Sequence, residues 1–106
     1  MGGDQKALLN AAERGDLPTV KYYLQQGIDP NHEHPEAMTT PLMESVRHGR
    51  LDVVACLLEN GADLTIRSGF EMVTPLQLAR LTRQPQMVEL LRKYDHAPRW
   101  RRWLRT

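Results

Sequence analysis

Between Pro30 and Glu36 the chain reads PNHEHPE, which places His32, Glu33, His34 and Glu36 within five positions. Imidazole and carboxylate both ligate metals. Two histidines at i and i+2, with neither a cysteine nor a further ligand pair at a characteristic spacing, match no structural zinc pattern, so the stretch predicts a solvated loop tip and no metal site. Cys56 is the single cysteine and lies in LDVVACLL. It can form no internal disulfide, and its apolar neighbours predict a small buried thiol rather than a nucleophile. No Ser, His and acid motif surrounds it, no glycine-rich phosphate loop is present, and Glu33 with Glu36 read as surface charge; no catalysis and no cofactor are expected. The third candidate is the closing RWRRWLRT, Arg99 to Thr106. Its arginines and tryptophans have the chemistry of a segment that meets an anionic surface.

Charge limits how far that chemistry extends. Of 14 basic residues, Arg99, Arg101, Arg102 and Arg105 lie in the last eight positions, which leaves 10 against 13 acidic residues in 1–98, a body near −3 and a tail near +4. A nucleic-acid-binding body normally carries a positive face over many turns of structure, so nucleic acid is not the expected partner. A membrane surface is reachable only through residues 99–106. The start, MGGDQKALLN, has no basic segment followed by a long apolar one, and no apolar run approaches the roughly 18 residues of a membrane span. Gly2 lacks the Ser or Thr that a myristoylation motif wants at position 6, which is Lys6. These features predict a cytoplasmic protein, and 106 residues are the size of one domain.

The elements that position any of these groups follow from internal repetition. TPLMESVRHGRLDVVACLLENGADL from Thr40 aligns at an offset of 34 with TPLQLARLTRQPQMVELLRKYDHAP from Thr74, and with KALLNAAERGDLPTVKYYLQQGIDP from Lys6. Each unit predicts two short antiparallel helices. Thr40 and Thr74 can cap a helix whose first turn holds Pro41 or Pro75, where the missing N–H costs nothing. Leu42, Ser45 and Val46 then share one narrow face, as Leu8, Ala11 and Ala12 do one unit earlier. Gly15 and Gly49 supply the left-handed residue that ends the first helix, and Gly27 and Gly61 end the second. In the second helix Leu51, Val54, Leu57 and Leu58 are expected to face inward. Asp4 is a plausible cap for the first helix.

TPL, LLENGAD and QQGIDPN, in register over three copies, resemble the ankyrin repeat, whose pattern runs T-P-L-H-x-A, G-H-L-x-I-V-x-L-L-L and G-A-D-V-N; the resemblance covers about residues 5–96. It implies an all-α solenoid, three helix-turn-helix units linked by hairpin-like finger loops, in units of about 4–37, 38–71 and 72–96, with 97–106 as a separate basic segment. The first and third units would be caps around one full central repeat. Several residues depart from the pattern. Met43 and Gln77 stand where the family has His, Arg83 and Asp95 where it has Gly, and each finger is one residue longer than usual. Met38 and Met72 replace a glycine before the T-P turn, and since methionine disfavours positive φ, Gly69 is expected to take that backbone role in the second finger.

By the same resemblance, the activity is non-catalytic protein binding, as an adaptor, inhibitor or immunity-type protein, by a chain expected to be monomeric on its own. The contacts would come from the concave face. On the helices these are Glu13, Arg14, Arg47, His48, Leu81 and Thr82, and on the fingers Glu36, Ala37, Thr39, Phe70, Glu71 and Val73. Phe70 and Arg47 are expected to stand in solvent. After Pro98, the residues Trp100, Trp103 and Leu104 fall at i, i+3 and i+4, which predicts a short helix covering the last unit. The competing reading is a protruding arm in which Trp100, Arg101 and Trp103 bind an anionic surface.

Overall fold

A computed structural model describes residues 2–95, which form six helices and no strand. They run α1 (Gly2–Arg14), α2 (Leu17–Gln25), α3 (Pro41–Arg47), α4 (Leu51–Glu59), α5 (Pro75–Leu81) and α6 (Pro85–Asp95). Consecutive helices pair as α1 with α2, α3 with α4 and α5 with α6. The pairs stack in two layers, α1, α3 and α5 in one and α2, α4 and α6 in the other. The tail residues Trp100, Arg101 and Trp103, and both expectations for them, lie outside the described residues.

The helix starts follow the sequence. Thr40 Oγ1 accepts from the Met43 amide at 3.2 Å, and Thr74 forms a full capping box, its hydroxyl accepting from the Gln77 amide while Gln77 Oε1 accepts from the Thr74 amide. Gln77, which stands where the family has histidine, thus bonds within its own helix start, whereas Met43 is fully buried. Asp16 caps α2 through Thr19, and that bonding holds its carboxyl below the usual range. Asp4 is not a cap, because α1 already begins at Gly2 and Asp4 sits in its first turn.

Burial of one face by small and branched side chains makes the core. Leu8, Ala11, Ala12, Leu42, Val46, Leu78 and Ala79 come from the first layer, and Val20, Val53, Val54, Leu57, Met87 and Leu91 from the second. Leu51 is a correction: it is 37% exposed, and Val53 takes the inward place, because Leu51 is the first residue of α4 and lies on its solvent edge. Cys56 is half-buried and packs against the core, and burial raises its thiol pKa.

Side chains stitch successive pairs together. Arg50 Nε donates to the Glu13 carbonyl and Gln84 Nε2 to the Val46 carbonyl, so the residue before each second helix closes the first helix of the preceding pair. Asn31 bonds the Gly61 carbonyl and the Asp63 amide, joining the turn after α2 to the turn after α4.

Candidate functional site

The connections α2–α3 and α4–α5 project as two fingers, each closed by one isolated antiparallel bridge, His34 with Thr39 and Ser68 with Val73. Met38 and Met72 both have φ of 52°, so the expectation that Gly69 would take the role of Met72 in the second finger is corrected; Gly69 is left-handed as well, at 79°. The strain of about 1–2 kcal/mol for an L-residue there is tolerated because hydrogen bonds fix the tip. The Met38 amide donates to the His34 carbonyl at 2.7 Å and the Met72 amide to the Gly69 carbonyl at 3.2 Å. Gly69 also donates to the Met38 carbonyl at 2.7 Å, tying one finger to the next.

Among the expected contact residues, Arg47 is a correction. Its guanidinium is not free in solvent but grips the Glu71 carboxylate with Nη1 to Oε1 at 2.7 Å and Nη2 to Oε2 at 3.1 Å, while Nε donates to Glu44 Oε2 at 3.1 Å. The bidentate bonds hold the Glu71 carboxyl down at about 2 and push the Arg47 pKa up. A Cβ on Gly69 would stand 2.6 Å from Glu71 Oε2 and 2.8 Å from Arg47 Nη2, so the glycine admits this pair. Thr39 is corrected too: it is 4% exposed, and its hydroxyl bonds Glu44 Oε2 at 3.1 Å. Val73 is half-buried against the core.

The remaining expected residues reach solvent. Phe70 is 93% exposed and Leu81 66%, with Met72 at 54% and Met38 at 46% on the fingertips. Arg14, Glu36, Ala37, His48, Glu71 and Thr82 are exposed, and Glu13 is half-buried. Arg14 approaches Asp16 at 3.7 Å, and Thr82 bonds back to the Leu78 carbonyl.

The first finger and α1 enclose a groove of about 250 Å³, lined by Lys6, Leu9, Asn10, Glu13, His34, Glu36, Ala37, Thr39 and Glu44. At its edge Glu13, Glu44 and His48 bring a ligand atom each within 4.8 Å of one another. The sequence reading missed this set, although Glu44 and His48 stand at i and i+4 on α3. His48 Nε2 lies 3.6 Å from Glu13, and Glu44 accepts from Arg47 and Thr39, so each of the three groups already has a partner within the protein. His32 and His34 join no such set among the described residues.

No helix among the described residues is long and apolar enough to cross a membrane. Residues 8–99 match the model of Ankyrin repeats in three copies. Similar proteins include the ARF GTPase-activating protein Git of Drosophila melanogaster, 37% identical over 78% of this chain and 11% of its own length. The serine/threonine-protein kinase VIK of Arabidopsis thaliana is 35% identical over 78% of this chain and 19% of its own. The ankyrin repeat and SAM domain-containing protein 6 of Rattus norvegicus is 33% identical over 85% and 10%. The chain thus spans between a tenth and a fifth of the length of these relatives, two of which are named for functions of whole proteins far larger than the matched region.

Proposed function

The chain belongs to the ankyrin repeat family, and on that premise we propose that it is a non-catalytic module that binds a protein partner through its concave face and finger loops, in an adaptor, inhibitor or immunity-type role. Ankyrin repeats are in general protein–protein interaction modules. The observation that carries the reading is Phe70, an aromatic ring 93% exposed on a finger whose backbone is tied by the Gly69–Met38 hydrogen bond and the Arg47–Glu71 ion pair. A large apolar side chain on a support already ordered costs little further entropy when a partner covers it, and such anchors dominate interface energies. Leu81 and Met72 extend the apolar surface, and Arg14, Glu36, His48 and Thr82 supply the polar rim that sets orientation.

The test is affinity capture on the immobilised full chain with mass spectrometry of what is retained, followed by competition with Phe70→Ala. The variant is expected to bind the captured protein about 30-fold or more weakly, the effect of losing an interface anchor, with its helical spectrum and melting midpoint unchanged. Equal affinity of the Phe70→Ala protein would remove the second finger from the binding surface.

A further inference from the structure

Offset arithmetic across the repeat pairs each lining position of the first-finger groove with a position one unit later: Asn10 with Glu44, Glu13 with Arg47, Ala37 with Glu71. In the later unit this place is filled by the chain itself, since the Arg47 guanidinium lies between the Glu44 and Glu71 carboxylates. In the earlier unit all three members of that arrangement have changed. Asn10 and Ala37 stand where the two carboxylates would be and Glu13 where the arginine would be, so no guanidinium of the chain fills the place, and it stays open as the groove of about 250 Å³.

We propose that this groove is a receptor for an arginine side chain of a protein partner, with Glu13 and Glu36 as the carboxylates that receive its guanidinium. The inference rests on the reading of the concave face as a protein-binding surface and names the chemistry of what enters it. Three carboxylates, Glu13, Glu36 and Glu44, line the groove against the single ammonium of Lys6. Glu44 is already engaged by Arg47 and Thr39, whereas Glu36 is exposed and Glu13 has only the 3.6 Å approach of His48. His34, also in the lining, has a buried ring nitrogen, Nδ1, with no hydrogen-bond partner. Leu9 and Ala37 give the lining apolar carbon against which the methylenes of an arginine can lie while its head stays polar. The planar fork of a guanidinium suits two carboxylates approached along a wall better than the compact lysine head does.

Amide chemical shifts of the full chain, titrated with the blocked tripeptide acetyl-Ala-Arg-Ala-amide, test the assignment. Saturable shifts are expected at Glu13, Glu36, Ala37 and Thr39, weakened by added salt, and smaller with the lysine tripeptide. Glu13→Gln and Glu36→Gln should each weaken the response about threefold, the scale of an exposed ion pair, with an unchanged melting midpoint. The glutamate tripeptide should leave these amides in place. Absence of saturable shifts, equal shifts from the glutamate tripeptide, or an undiminished response in both variants would overturn the proposal. Such a failure beside a captured partner that still requires Phe70 rejects the arginine assignment alone; loss of the Phe70 dependence with a normal arginine response rejects the second-finger reading alone.

Discussion

Arg47 shows how far one side chain can differ from what its position suggests. On the repeat pattern it points to solvent, but its guanidinium closes over Glu71, 24 residues ahead, and over Glu44 on its own helix. No local rule indicates this pairing, since the equivalent residues one unit earlier, Glu13 and Ala37, cannot form it. The acid limb of the stability curve carries its signature. The Glu71 carboxyl is depressed from 4.5 to about 2, so the pair's stabilisation is complete above pH 4.5 and is lost as the pH falls towards 2. Both side chains keep about a third of their surface in water, 31% for Arg47 and 37% for Glu71, which limits the contribution to about 1 kcal/mol or less. Glu71→Gln should therefore lower the melting midpoint slightly at neutral pH and flatten its fall between pH 4.5 and 2, as thermal scans of the two proteins across that window will record. Equal slopes would mean that the pair adds nothing to stability. Met38 offers a prediction of opposite sign. With φ of 52° and an exposed side chain, Met38→Gly relieves about 1–2 kcal/mol of strain against about 0.5–1 kcal/mol of added chain entropy, so denaturant titration should find it neutral to slightly stabilised, and Met38→Val clearly destabilised.

At the scale of helices and turns the sequence was legible wherever the signal is local. Thr40 and Thr74 cap, the prolines after them open helices, and Gly15, Gly27, Gly49 and Gly61 all have positive φ. The unequal demands on those glycines were hidden, because they depend on which neighbour leans over each turn. A Cβ on Gly15 would come within 2.8 Å of Arg50 Cδ, the side chain that reaches back to the Glu13 carbonyl, whereas one on Gly61 meets nothing within 4 Å. Gly61→Ala is expected to cost only the left-handed strain, about 1–2 kcal/mol. Gly15→Ala should cost more, since it also displaces the Arg50 bridge. In an Arg50→Ala background the excess should disappear, and a double-mutant cycle by denaturant unfolding measures that coupling directly. Additive effects would show that the turn and the bridge are independent.

Three stacked helix pairs are too few to behave as separate units. The molecule's Cα radius of gyration is 13.0 Å and its extents are 34 by 33 by 24 Å, the size of an ordinary compact domain of about 100 residues rather than an extended superhelix. Three copies at an offset of 34 made the stacking order readable in advance; the groove at the first finger was not, because it arises from what Glu13 and Ala37 fail to fill. Since α3 packs on α1 and α5, and α4 on α2 and α6, both end pairs depend on the central pair for their buried faces. Leu57 on α4 is fully buried in the shared core. Leu57→Ala should cost about 2–5 kcal/mol through the cavity it leaves, a large share of the roughly 5–15 kcal/mol that holds a domain together. In a nearest-neighbour array of this length that loss spreads over every pair. Native-state hydrogen exchange should then accelerate in α1 and α6 by nearly the same factor as in α4, whereas Leu91→Ala in the last helix should loosen α6 first and spare α1. Acceleration confined to α4 in the Leu57→Ala protein would mean that the end pairs hold their structure without the centre, and that the three repeats are not one cooperative unit.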